Sequence, residues 1–306
     1  MPYIRQVFPP EVRQLLEPCG GAGSAILGLE PSPRRLDIYN DLDAELSNLF
    51  LCVKERPGAL MRELAFLPIA SRALFDVYKD FVAHKDVTLR NIQEELALLE
   101  DRALFTAEQA GELRPIYQER LALYDVHRAA AYYLRIWSSY NGNTSSYGVK
   151  PLRLYRFIDR ILPASRRLQD VAVENKDAIQ IVRERDGPGC LTYCDPPYFG
   201  AERCYDVRIG REYHRQLHDA LRECVGPVAV SYNDHPAIRD LYGDFYILAF
   251  TRDDSMAQRK GALYGELLMT NYDPAPFLTD QMSLFSGPEK LRLELVHVPE
   301  RALITL

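Results

Sequence analysis

Asp195-Pro196-Pro197-Tyr198 directly follows the apolar run Cys190-Leu191-Thr192-Tyr193-Cys194. Such a run, ended by a Pro-Pro breaker, predicts a buried strand that stops in a rigid loop. At that strand end an acid, a fixed backbone carbonyl and an aromatic face project toward one point. Together they can hold a flat aromatic amine for chemistry, although a plain turn is the competing reading of Asp-Pro-Pro. A second group lies near the N-terminus, in Glu17-Pro18-Cys19-Gly20-Gly21-Ala22-Gly23-Ser24. A Gly-rich turn lets the backbone approach a ligand closely, because residues without Cβ leave room. The pattern is not the G-x-G-x-x-G of a dinucleotide site. Asp41 stands 20 residues after Gly21, at the end of a second predicted strand. A carboxylate there can accept both hydroxyls of a ribose. The pair suits any cofactor that contains adenosine.

The elements that must position these groups follow from hydrophobic spacing. Residues 12–18 predict a strand running into the Gly-rich turn, with a helix start at Ala25-Ile26-Leu27. Residues 35–40 predict the next strand, followed by Asp41 and a helical segment to residue 55. This is the opening of a βαβ unit with helices covering a parallel sheet. From Arg56 to Ala131 the spacing turns helical with almost no strand signal, which predicts a helical insertion. Alternation then resumes: a strand over 171–175, a helix over 177–185, the strand 190–194 and a helix over 212–223. Strand 227–232, helix 236–242 and strand 245–250 follow, and a last strand over 266–270 forms an antiparallel hairpin with its predecessor. The tail from about Asp273 onward shows weak periodicity, and no internal repeat is present.

At 306 residues the chain fits one α/β domain carrying an insertion better than two equal domains. No apolar stretch reaches the roughly 18 to 20 residues that span a bilayer. The N-terminal residues lack the features of a signal peptide, so a cytoplasmic location is expected. The six cysteines form no close pairs in sequence and lack zinc-site spacing, so reduced thiols and no metal are expected. His214 and His218 form an i, i+4 pair without an acid motif, which reads as a solvated helix face. The net charge of −6 does not advertise a nucleic-acid binder. Its distribution matters more: residues 150–167 carry Lys150, Arg153, Arg156, Arg160, Arg166 and Arg167 against Asp159 alone. Interleaved with Tyr155 and Phe157, they suit a phosphate-contacting channel or, equally, a solvated amphipathic helix.

Taken in order, these pieces resemble the Dam-type DNA adenine methyltransferases (D12 class). The matching stretches are EPCGGAGS (17–24), DIYNDLDAELSNLF (37–50), SSYNGNTSSYG (138–148), TYCDPPYF (192–199), SYNDHPAIRDLY (231–242) and GELLMTNY (265–272). The resemblance implies an α/β fold: a Rossmann-like S-adenosylmethionine-dependent methyltransferase sheet with a helical target-recognition insertion. It implies a catalytic domain over 1–55 and 146–272, a mainly helical DNA target-recognition insertion over 56–145, and a C-terminal tail over 273–306. The chain departs from the family at Cys19, where the turn usually begins with Phe, and at Arg5-Gln6-Val7, where a Gly-Gly-Lys is usual.

S-adenosylmethionine is the implied methyl donor, with Tyr3, Gly21, Gly23 and Asp41 as its contacts and no metal. Asp177 either touches the cofactor's adenine or serves as a helix N-cap. The implied reaction methylates the exocyclic N6 of adenine in double-stranded DNA after base flipping. The amine would hydrogen-bond to the Asp195 carboxylate and the Pro196 carbonyl, while Tyr198 stacks on the base. Tyr140, Asn141 and Tyr147 would contact the duplex, although Tyr140 suits a core position equally; Lys150, Arg153, Arg156 and Arg160 would meet phosphates. The same chemistry on cytosine N4 or RNA, and a non-catalytic DNA-binding relative, are the alternatives. Gln281-Met282-Ser283-Leu284-Phe285 resembles peptides that dock bacterial sliding clamps. It also suits a tail folded back on the core. A bacterial or phage origin is implied.

Overall fold

A computed structural model of the chain describes residues 4–66, 72–121, 125–139, 147–148, 155–200, 210–253, 263–278 and 293–306. The chain divides into two compact units, Met1–Leu42 with Asp170–Leu306, and Asp43–Gln169.

The first unit is built on an eight-stranded sheet: β1 (Gln14–Glu17), β2 (Leu36–Asn40), β3 (Val171–Glu174), β4 (Cys190–Cys194), β5 (Val228–Asn233), β6 (Tyr246–Asp253), β7 (Leu263–Thr270) and β8 (Glu294–His297). The spatial order is β3-β2-β1-β4-β5-β7-β6-β8. The five strands from β3 to β5 pair in parallel, as the alternation of strand and helix predicts. Every residue of β4 is buried, which explains its unbroken apolar run. β7 pairs antiparallel with β6, but it lies between β6 and β5. It therefore lies inside the sheet, and β8 forms the edge by pairing with β6. The sequence reading missed β8 because its four residues, mostly exposed, show no apolar alternation.

The helices of this unit are α1 (Ser24–Gly28), α9 (Ala178–Arg185), α10 (Arg211–Arg222) and α11 (Pro236–Leu241). In α10, His214, Leu217, His218 and Leu221 share the buried side. His214 Nδ1 meets the Tyr232 hydroxyl at 2.8 Å, and His218 Nε2 meets Asp244 at 2.9 Å. This corrects the expectation of a solvated histidine face. The same i, i+3, i+4, i+7 spacing includes two leucines, and the leucines set which side is buried.

The second unit contains α2 (Ala44–Glu55), α3 (Pro57–Phe66), α4 (Arg72–Ala83), α5 (Lys85–Leu98), α6 (Ala107–Leu121), α7 (Val126–Trp137) and α8 (Tyr155–Leu168). Its core joins Leu49 and Cys52 of α2 with Leu60, Leu64, Val82, Ala129, Ala130, Leu134 and Ile161. That packing gathers α2 and α8 into the helical unit. Arg128, buried at the start of α7, bonds Glu45 at 2.6 Å and Asp125 at 3.0 Å, so a buried charge is paired on two sides. Among the described residues no helix is long and apolar enough to cross a membrane.

Candidate active site

In an open parallel sheet, ligands bind outside the carboxyl ends of the strands where the strand order reverses. Here that point falls between β1 and β4, whose chains leave toward β2 and β5 respectively. β1 ends in the Gly-rich turn and β4 in Asp195, so both sequence motifs emerge at the crevice.

The turn is held from several sides. The Gly20 amide donates to the Asn40 carbonyl and the Gly23 amide to the Gly20 carbonyl, each at 2.7 Å. Gly21 and Gly23 have φ of 49° and 68°, in the left-handed region that favours glycine. A Cβ added at Gly21 would meet nothing within 4 Å, so the turn borders open space. The Tyr39 hydroxyl donates to the Gly21 carbonyl at 2.8 Å, and the Gly21 amide donates to Asp41 Oδ2 at 2.8 Å. The acid at the end of β2 is thereby clasped onto the turn.

Glu17 sits beneath this turn. Its carboxylate accepts from the amides of Ala25 and Ile26, each at 2.9 Å. Burial, with a smaller contribution from the nearby charges of Asp195 and Asp41, pushes its pKa up to about 8 against those two N–H groups. The folded chain thus holds this proton between the ordinary value of 4.5 and about 8, whereas the unfolded chain does not. The stability contributed by the retained proton is complete below pH 4.5 and is lost as pH rises through 8. Between those values stability should fall by up to ~1.4 kcal/mol per pH unit from this residue. Denaturant titrations from pH 5 to pH 8 should show Glu17→Gln losing less stability than the wild type. Parallel pH profiles would mean that Glu17 is ionised in the folded chain.

The loop after β4 is braced by its neighbours. Asp195 is exposed, Pro196 buried and Tyr198 half-buried. Ser231 Oγ donates to Asp195 Oδ1 at 2.7 Å, and the Tyr198 hydroxyl donates to Glu266 Oε1 at 2.8 Å. Asn233 Nδ2 donates to the Phe199 carbonyl at 3.1 Å. The Phe199 ring lies 5.4 Å from the His214 ring and 4.8 Å from that of His235, with the Arg211 guanidinium 5.7 Å from its centre.

Cys194 Sγ lies 3.7 Å from Cys19 Sγ, although 175 residues separate them in sequence. The absence of close cysteine pairs in the sequence therefore does not carry over to the fold. The Cys194 thiol, followed by burial, holds the Cys19 thiol well above the usual range, so it is neutral. Among the described residues no group of three or more His, Cys, Asp or Glu could hold a metal ion.

Asp195, Pro196, Tyr198, Gly21, Gly23 and Asp41 thus stand at the ends of the adjacent strands β4, β1 and β2. Asp177 follows β3 and caps α9, with Oδ1 accepting from Ile179 N at 2.9 Å and Gln180 N at 3.2 Å. Burial holds the Tyr213 hydroxyl well above its ordinary range, and Cys19, Cys194, Asp177 and Asp41 all add to the effect. That residue of α10 is therefore within electrostatic reach of the crevice acids. Arg160 is exposed on α8, its guanidinium 5.9 Å from the Trp137 ring centre. Tyr147 packs its ring 5.8 Å from that of Phe75. Tyr3, Tyr140, Asn141, Lys150, Arg153, the side chain of Arg156 and the segment 281–285 lie outside the described residues.

Sequence reasoning assigned no role to Glu17, Tyr193, Ser231, Asn233 or Glu266. Glu17, Ser231, Asn233 and Glu266 stand in stretches already singled out, SYNDHPAIRDLY, EPCGGAGS and GELLMTNY, and Tyr193 stands in TYCDPPYF, but nothing local says what each one touches. The whole arrangement presents a braced acid and an aromatic ring beside a glycine turn with acids around it. It can bind a cationic adenosine-containing molecule and a planar amine side by side. The family model for D12 class N6 adenine-specific DNA methyltransferases matches residues 1–256. No curated protein matches the chain.

Proposed function

The chain belongs to the D12 class N6 adenine-specific DNA methyltransferases, and on that premise we propose how its residues divide the work. The enzyme methylates the N6 amine of adenine in DNA, and the family implies S-adenosylmethionine as donor. The crevice fits that cofactor: open space borders the left-handed Gly21, and Asp41 and Asp195, both close enough for their charges to act on Glu17, supply acidic groups that suit a sulfonium cation. When bound, the cofactor supplies a methyl group activated on positively charged sulfur. Tyr3, Gly21, Gly23 and Asp41 hold it, with Asp41 on the ribose. Asp177 contributes at the adenine end while it caps α9.

The remaining steps belong to this chain's own residues. Adenine leaves the duplex at a cost of a few kcal/mol, and stacking on Tyr198 returns roughly 1–3 kcal/mol. The Asp195 carboxylate and Pro196 carbonyl accept the two amine hydrogens. This favours a pyramidal nitrogen, whose lone pair is otherwise delocalised into the ring. Asp195 also offsets the positive charge that develops on nitrogen during transfer. Holding the reactants in line can supply on the order of 7–11 kcal/mol of the barrier.

Target recognition falls to the helical insertion. Tyr140, Asn141, Lys150, Arg153, Arg156 and Arg160 contact the duplex, and the salt dependence of DNA binding by arginine variants reports on them. Residues 281–285 dock a sliding clamp, which pull-down of a bacterial clamp with Leu284→Ala, Phe285→Ala checks. Bacterial or phage cytoplasm is the setting that these partners suit.

The observation that carries this reading is the emergence of Asp195 and the Asp41-clasped turn at one switch point. Mass spectrometry of nucleosides from cells expressing the protein should show N6-methyladenine in DNA. Calorimetry should show Asp41→Ala binding S-adenosylmethionine about 10-fold or more weakly, the loss of one charged hydrogen-bond partner. Unmethylated DNA would overturn the activity; unchanged affinity would reduce Asp41 to a clasp on the turn.

A further inference from the structure

Asp195 is exposed at the end of β4, where a lone carboxylate would turn freely about its side-chain bonds. Ser231 prevents this. β4 and β5 run parallel with Cys194 opposite Val230, so continuing the register sets Asp195 beside Ser231. Ser231 Oγ lies 2.7 Å from Asp195 Oδ1 and, on its other side, 3.0 Å from the Tyr193 hydroxyl. A serine hydroxyl has one proton to donate, and a carboxylate only accepts. The chain of hydrogen bonds therefore runs from Tyr193 to Ser231 to Asp195. Tyr193 is buried at 3% exposure, and burial together with the charge of Asp195 holds its hydroxyl well above the ordinary range. It therefore keeps its proton, and can donate, at neutral pH.

We propose that Ser231, backed by Tyr193, is a positioning residue that orients the Asp195 carboxylate toward the adenine amine. The assignment rests on the role proposed above for Asp195. By donating to Oδ1, Ser231 sets the plane of the carboxylate before the base arrives, so no reorientation is needed as charge develops on nitrogen. A donor on a carboxylate oxygen also favours the charged form over the protonated one. Ser231 itself touches neither substrate nor cofactor in this scheme.

The full-length enzyme is assayed with duplex DNA and S-adenosylmethionine, as wild type, Ser231→Ala, Ser231→Thr, Tyr193→Phe and Asp195→Ala. Ser231→Ala should lower kcat by up to about 100-fold, the effect of a small misplacement of a reacting group. Its KM for S-adenosylmethionine should stay within about twofold of wild type. The acid limb of its kcat profile should move to higher pH, because the carboxylate has lost a donor. Ser231→Thr keeps the hydroxyl and should restore kcat and the limb. Tyr193→Phe should shift both in the same direction by less. Ser231→Cys, close to serine in volume but a weak donor, takes the place of Ser231→Ala if that variant does not fold.

A Ser231→Ala enzyme with wild-type kcat and acid limb overturns the proposal, as does failure of Ser231→Thr to restore them. If Asp195→Ala is inactive while Ser231→Ala behaves as wild type, only the positioning role falls. If Asp195→Ala itself turns over normally, the proposed role of Asp195 falls, and this inference falls with it.

Discussion

Asp195→Ala should reduce methyl transfer by about 10³-fold or more, because it removes the charged acceptor at the reacting nitrogen. Losing one preorganised polar partner of a developing charge costs on the order of 10²–10³ in kcat. Here the same side chain also fixes the amine's geometry. The loss should fall on kcat, since the carboxylate's largest contribution appears only as charge develops. Asp195 is exposed and supports no core packing, so the variant should melt close to wild type. Tyr198→Ala should cost less, about 10- to 100-fold, matching the roughly 1–3 kcal/mol of base stacking. Its hydroxyl bond to Glu266 positions the ring rather than the reacting atoms. Turnover of labelled methyl onto duplex DNA compares the two variants directly. Near-wild-type turnover by Asp195→Ala would end the mechanism described here, and a larger loss for Tyr198→Ala would move the main catalytic contribution from charge to stacking.

Gly20→Ala should destabilise the catalytic unit by about 3 kcal/mol, near the upper end for overpacking a buried site. A Cβ at Gly20 would run into the Tyr39 ring, closest to Cε2 and 2.7 Å from Cδ2 and Cζ. The ring cannot swing away, because its hydroxyl is bonded to the Gly21 carbonyl and Tyr39 is fully buried. Moving the turn instead would stretch the 2.7 Å bond from Gly20 N to the Asn40 carbonyl. Either adjustment disturbs the turn proposed to hold the cofactor, so binding of S-adenosylmethionine should weaken with stability. Gly58→Ala, in α3 with nothing near its Cβ, serves as the control and should be neutral or slightly stabilising. Denaturant unfolding curves read the difference. Equal midpoints for Gly20→Ala and wild type would show that Tyr39 repacks at little cost.

Much of the site was legible before the fold was known, because its parts are local. Asp41 ends a strand and follows a glycine turn; Asp195 ends another strand and precedes a breaker. Asp177 shows where local reading stopped short: an acid opening a helix suits both a cap and a ligand contact. The structure shows the cap directly, and the two uses are compatible because one carboxylate oxygen makes it.

What the sequence by itself determined is the order of strands and helices in the sheet up to β7, the helical character of the middle segment and the two strand ends that bear the candidate site residues. These follow from hydrophobic period and chain breakers, which act within a few residues. Only the tertiary structure decided which residues brace them. Ser231 reaches Asp195 across 36 residues, Glu266 reaches Tyr198 across 68, and Cys19 meets Cys194 across 175. The sheet makes these meetings: parallel pairing sets β5 beside β4, and insertion of β7 between β5 and β6 pairs Glu266 with Asn233. The burial of His214 and His218 was likewise settled by packing, since a helix face turns inward with its leucines whatever polar residues it carries. Strand pairing is set by the register and burial of the assembled sheet, so no single segment specifies its own neighbour.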